Sequence, residues 1–590
     1  MKNLLILNIE NNFDRAVNIF RKLNKENLEI LYLNNNVLIK NFNYKLLDDY
    51  FKPEYATKID KFVRFLAKNW YKNFKSRLNY DNILLPELLE NEFLKTWPIF
   101  LKIEILSRVI KNYDKVYLIT EYEEDKHIIN EFKNKDFYPC IIKTKFKENN
   151  KFKKLFYKFI AKYQNLLLNN YLKRKNNNKN ILIIANLRQN ISLLMKLRDD
   201  NNVIIRAGEN LGRGLFTKNC DYYLTFKEFS NRKINYIIKQ EKIRLDEEFN
   251  YVLSNFNFKY YIKLDKVLEQ TLRKIFLYHF LRLIKYIEVT KLLKNIDLIL
   301  THNDVIAFEK TVIKEANMLN IPTLTMIEGF LPVKQIKKGT QFIPFTANKM
   351  AVHSEAQLKA MINKKIPKDK LFITGYPDFD KYYNSKPIKK ELIYKRYNIP
   401  LDKKIVLYVG ERYTKNKYES SIWAAQTQEQ YKEVYRELFR TFKEFPDLFL
   451  IIKKHPSGSL DEEVIVDLAR KEKFDNYKII SDIDVYGLLN ASYAIINRLS
   501  TMALEAMFLR KPVIVMDAYF DTNDNFDYTK FDAALHARKK GDLKKLFNKL
   551  YDKDVLNKLN KNMEKFVKYN YINDGNASLR MTKLIENLIK

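Results

Sequence analysis

The chain has 590 residues, 46% of them apolar, which excludes a disordered protein and a single hydrophobic core, so two domains or more are expected. Two cysteines, Cys140 and Cys220, exclude a disulfide framework and a four-cysteine zinc site, and they suit a reducing cytoplasm. The formal net charge of +35 leaves nucleic acid, an anionic membrane surface or phosphorylated substrates open as partners; a bias towards Lys, Asn, Ile and Tyr accounts for it too, and the even spread of lysines argues against one nucleic-acid footprint.

The first residues, MKNLLILNIENN, hold a short apolar run without a small-residue cleavage site, and they predict a first strand at 4–9 rather than a signal peptide. No stretch reaches the ~20 apolar residues of a membrane span. Strand patterns follow at 28–34, 115–122 and 140–146, with a helical region at 60–111 between them. Strand–helix alternation at this spacing predicts a parallel sheet with crossover helices. Residues 147–180 are basic with interleaved aromatics, a pattern that suits either a helix lying on an anionic membrane or a solvated basic surface helix.

Strands resume at 180–186 and 222–226, and between them 203–216 reads as a strand running into a glycine-bearing loop. Gly208, Gly212 and Gly214 match no phosphate-loop spacing and read as a turn. Residues 229–295 are helical and basic, an insertion or helical pair. A strand–helix–strand unit then spans 296–330, and both of its strands end in polar residues: His302, Asn303 and Asp304 after the first, Glu328 and Gly329 after the second. In open parallel sheets ligands bind beyond the carboxyl ends of strands, so these groups are expected at a cleft. Short strands at 349–355 and 371–380 follow, then a connector at 380–400.

A new sheet is expected to begin at KKIVLYVGERY (403–413), with Glu411 and Arg412 in its first loop. The stretch LFLIIKKHPSGSL places Lys454, His455 and Pro456 directly after a strand. Proline after histidine favours an extended backbone, which aims the imidazole out from the strand end. Further on, DVYGLLNASYAIINRLSTMALEAMFLRKPVIVMD sets Ser500 and Thr501 before a helix bearing Glu505. Hydroxyls and free amides at a helix start suit an anion. Each motif alone is equally an ordinary turn or an ordinary cap; their order along the chain is what makes the strand ends converge. The helical, basic tail at 540–590 is expected to brace the first domain.

These motifs resemble the C-terminal half of GT-B glycosyltransferase-like enzymes of cell-surface polymer synthesis, in particular CDP-glycerol glycerophosphotransferases and capsule polysaccharide transferases. The resemblance covers roughly 296–530. It implies an α/β fold of two Rossmann-like domains facing across a cleft: 1–345 on the acceptor side, with the insertion at 229–295, and 346–590 on the nucleotide-donor side. It implies that His455 and Pro456 bind the nucleotide, that Ser500 and Thr501 hold its phosphates, and that the acidic residue after the second strand, Glu328, is the general base. By position beside them, Lys454, Arg412 and Glu505 are expected to complete the donor set, with Asp304 and His302 as reserve bases. The resemblance implies no metal and no cofactor beyond the nucleotide-activated sugar or polyol donor. The acceptor is then a surface glycan, a teichoic-acid-like polymer or a lipid-linked species, and the setting cytoplasmic, peripheral on the inner membrane face.

The upstream part also resembles non-hydrolysing UDP-N-acetylglucosamine 2-epimerases, which makes epimerisation the second reading. Those enzymes carry a glycine-rich phosphate loop where this chain has RLSTMALEA, which favours the transferase. A third reading is a non-catalytic polyanion- or membrane-binding protein.

Overall fold

The computed structural model describes residues 2–8, 19, 28–33, 45–94, 97–120, 129, 136–141, 151–173, 178–184, 191–200, 202–209, 220–255, 269, 272–302, 304–327, 331–338, 345–384, 388–411, 413–414, 426–455, 460–481, 485–519, 527–572 and 574–590. Its backbone is organised on three sheets in which every described ladder is parallel. Val, Ile and Leu dominate the strands, and most of the central strands are buried along their whole length, as helices covering both faces of a parallel sheet require.

The first sheet has five strands in the order Lys45–Leu46, Leu28–Tyr32, Asn3–Asn8, Lys115–Thr120, Asp136–Ile141. Its last strand begins earlier than the 140–146 expected. It includes Pro139, which an edge position tolerates because one side of the strand needs no donor.

The second sheet has seven strands: Tyr222–Thr225, Val203–Gly208, Asn180–Ile184, Leu298–Thr301, Thr323–Met326, Lys349–Val352, Leu371–Ile373. The third has six: Tyr477–Ile480, Leu448–Lys453, Lys404–Val409, Ala494–Asn497, Val513–Met516, Leu535–Ala537. In both, the chain starts in the middle, runs to one edge, returns, and fills the other side. That is the Rossmann order, and its crevice lies where the direction of filling reverses.

The expected division at 345/346 falls inside the second sheet, because the strands at 349–352 and 371–373 pair onto it. Among the described residues, 1–345 also hold the first sheet and five strands of the second, beside a short antiparallel pair at Asn79–Tyr80 and Ile83–Leu84, rather than one sheet. The local pattern of both regions is the same strand–helix alternation, and which strands pair is decided by tertiary packing. The inserted helices Arg232–Asn255 and Leu281–Thr290 pack into one apolar core with side chains of both sheets, including Leu4, Leu182, Phe249 and Ile284.

The tail returns to the second sheet's domain. His353 stacks on Tyr571, with ring centroids 4.7 Å apart, and its carbonyl accepts from the Ile572 amide at 3.0 Å. Asp380 accepts from the amides of Ala577 and Ser578 at 2.9 and 2.8 Å, which caps the last helix, Ala577–Leu588. Gly375 sits beside this junction with a φ of 75°, and a Cβ there would meet Ala577 and the Ile572 carbonyl at 3.1 Å. A second apolar core runs from Ile183 and Leu300 through Phe566 and Met581 to Leu407 and Val515, so the tail joins the second and third sheets.

Candidate active site

The third sheet brings four strand ends into one row. Register pairs Val409 with Lys453, Tyr408 with Ile496, and Asn497 with Val515. The segments that leave these strands are Gly410–Glu411, Lys454–His455, Arg498–Thr501 and Asp517, all on the carboxyl edge. The reversal of strand order falls between Lys404–Val409 and Ala494–Asn497. Glu411 and the Arg498–Thr501 loop therefore lie in the crevice where a parallel sheet of this order binds its ligand.

A buried ion network shapes that loop. Arg498 leaves the strand with its side chain 3% exposed, and it faces Asp517 at 3.3 Å and Glu411 at 3.7 Å. Glu411 accepts from the Leu499 amide and from the Tyr431 hydroxyl, the latter at 3.1 Å. Asp517 also meets His536 at 2.8 Å, and the Arg538 guanidinium donates to the other ring nitrogen of His536 at 2.9 Å. Burial pushes the Glu411 carboxyl up from its ordinary range, against the pull of Arg498. Each end of the Asn497–Leu499 turn is thus tied to a different neighbouring strand. Arg498, Asp517 and His536 escaped the sequence reading; an arginine between an apolar strand and Ser-Thr was the signal for the first.

Ser500 and Thr501 divide the capping role differently from expectation. Ser500 Oγ accepts from the Met502 amide at 3.3 Å, while Thr501, the residue before the helix Met502–Phe508, makes no side-chain cap. The Ser500 carbonyl accepts from the buried Tyr528 hydroxyl at 2.8 Å. The Thr501 hydroxyl lies at the helix start without a capping duty.

Lys454 is partly exposed and pairs loosely with Glu462 at 3.7 Å, and half-buried His455 follows it. Lys453, 9% exposed, has its ammonium pKa lowered by burial. Glu505 accepts a short hydrogen bond from Tyr382, and burial raises its carboxyl pKa. A carboxylate in that place opposes a phosphate rather than holding one, so Glu505 leaves the phosphate-binding set. Its bond to Tyr382 ties the helix Met502–Phe508 to the connector after the second sheet.

Two of the three expected bases also change role. Asp304 is 2% exposed, and its Oδ2 accepts from the amides of Thr346 and Ala347, the latter at 3.1 Å. It clamps two loops, and burial raises its pKa. His302 is 3% exposed, so an acceptor hydroxyl has little access to it, and burial lowers its pKa to about 4, which keeps the ring uncharged at neutral pH. Glu328, Arg412 and Pro456, with Asn303 and Gly329, lie outside the described residues. Ile327, next to Glu328, is described: its carbonyl lies 3.1 Å from His353 Nε2, at the carboxyl end of the strand Thr323–Met326.

Residues 348–587 match the family model of CDP-Glycerol:Poly(glycerophosphate) glycerophosphotransferase. The C-terminal part of this chain is thus similar to the glycerophosphotransferase family. The match contains the whole third sheet, with Lys454, His455, Ser500, Thr501 and the Arg498 network. The chain is accordingly a transferase of the nucleotide-donor type that serves cell-surface polymer synthesis.

Among solved structures, UDP-GlcNAc 2-epimerase from Neisseria meningitidis is 15% identical, with a TM-score of 0.44 over 69% of this chain and 100% of that one. The wall teichoic acid polymerase TagF is 13% identical, with a TM-score of 0.43 over 74% of this chain and 98% of that one. A glycosyltransferase from Rickettsia africae is 15% identical, with a TM-score of 0.41 over 70% and 100%. At these values they add no weight to the assignment, which stands on the family match. No curated protein matches the chain.

Proposed function

We propose that the glycerophosphotransferase domain takes CDP-glycerol as donor and passes its glycerol phosphate to the terminal hydroxyl of a poly(glycerol phosphate) acceptor. The observation that carries this reading is the family match over a third sheet whose crevice presents His455 and the Ser500–Thr501 loop. Lys454, His455, Thr501 and Arg412 hold the donor diphosphate. The acceptor oxygen attacks the phosphorus that bears glycerol, the bond to the bridging oxygen breaks, and CMP leaves with the electron pair. Glu328, two residues along the sequence from the strand Thr323–Met326, takes the hydroxyl proton. In this reading the charge on the departing CMP is met by lysine, imidazole and loop donors, without a cofactor.

Replacing Glu328 by Gln separates binding from transfer. Turnover is expected to fall by about 100-fold or more, the usual weight of a general base, with CDP-glycerol affinity unchanged. Chromatographic assay of CMP release, beside calorimetry of donor binding, reads both, and a fully active variant removes Glu328 as base.

The helix Lys151–Leu172 carries Phe159, Tyr163 and Leu166 on one face, 71%, 53% and 55% exposed, beside exposed Lys158 and Lys162. We assign this face to an anionic membrane surface, where apolar rings enter the interface and lysines meet headgroups. No described helix is long and apolar enough to cross a membrane. The chain is expected to sediment with phosphatidylglycerol vesicles at low salt and to be released at high salt; no difference between phosphatidylglycerol and phosphatidylcholine would contradict the assignment.

A further inference from the structure

An open pocket of about 370 Å³ lies between the second sheet's domain and the third's, lined by Val333, Lys334, Lys337, Asp527, Lys530 and Tyr569. Three ammonium groups face one carboxylate there. Lys334 pairs with Asp527 at 3.8 Å across the two domains, and Lys530 lies 3.7 Å from the centre of the Tyr569 ring. Lys337 is exposed on the short helix Val333–Lys338, one turn from Lys334.

The wall at 527–532 is held in an unusual shape. Asp527, Phe531 and Asp532 have φ of 61°, 60° and 53°, a region that side-chain-bearing residues enter at a cost. Tyr528, within this wall, is fully buried and donates to the Ser500 carbonyl at 2.8 Å. The opposite wall begins at Val333, six residues after Ile327, where the strand that precedes Glu328 has just ended. The pocket is therefore built from the two segments that lead to the donor loop and to the proposed base.

We propose that this lysine pocket binds a backbone phosphate of the polymer acceptor and so sets which hydroxyl enters the crevice. The proposal rests on the transferase reading above. The volume is that of a small-ligand site, its lining is too charged for an apolar group, and ammonium groups suit a phosphodiester as point charges. Because its lysines come from both domains, a phosphate bound here also draws the two walls together.

The test uses the full chain, as wild type and as a Lys337→Gln, Lys530→Gln double variant; both side chains are accessible, so the substitutions leave the cores intact. Three probes are titrated: a synthetic glycerol-phosphate oligomer, inorganic phosphate and CDP-glycerol. The oligomer is expected to lose about tenfold in affinity in the variant, with a shallower dependence on salt, because two phosphate contacts are gone. CDP-glycerol affinity is expected to stay unchanged. Equal oligomer affinity in wild type and variant would overturn the proposal, as would an oligomer no tighter than inorganic phosphate at matched phosphate concentration. Failure of the donor reading shows separately, as absence of CDP-glycerol binding to the wild type.

Discussion

Replacing His455 by Ala is expected to cut CDP-glycerol affinity by about 30- to 100-fold, with the fold intact. His455 follows a strand whose six residues are all buried, so its backbone is placed by the sheet rather than by the loop beyond it. A phosphate that loses a charge-assisted partner in a partly desolvated crevice loses about 2–3 kcal/mol. Half-buried His455 lies beyond the strand and not within it, so the thermal midpoint without ligand should move far less than the affinity. Calorimetric titration and a thermal melt separate the two effects. A variant with native affinity would remove His455 from the donor site.

The second large effect is on stability. Arg498→Met is expected to cost about 3–5 kcal/mol, because it leaves buried acids without their cation. The Glu411 and Asp517 side chains are only 11% and 5% exposed, and desolvation already raises the Glu411 pKa. Urea unfolding reads the loss. Adding Asp517→Asn to Arg498→Met should recover part of it, since an amide needs no counter-charge; strictly additive costs would show that the pair does not interact. The same variant frees the Leu499 turn, so the donor site should weaken along with the fold.

The strand ends that carry the site were legible in the sequence because each is a short apolar run that stops at a polar residue. LFLIIKKHP and YAIINRLST became the strands Leu448–Lys453 and Ala494–Asn497, with His455 and Ser500 just beyond them. The partners of Arg498 were not legible. It meets Glu411 and Asp517 through strand neighbours, a relation that no local pattern encodes. The same limit hid the split of residues 1–345 into two sheets, since alternation reads identically whichever strands pair. Asp304 and His302 failed as bases for a different reason. Polar residues at a strand end mark a cleft only when they stay exposed, and both are buried in the loops they join.

Direct titration of the wild-type chain with CDP-glycerol and, in parallel, UDP-N-acetylglucosamine tests the central claim most directly. The account predicts saturable CDP-glycerol binding, and CMP release once a glycerol-phosphate oligomer is added. Tight binding and acceptor-free turnover of UDP-N-acetylglucosamine, with no response to CDP-glycerol, would contradict it.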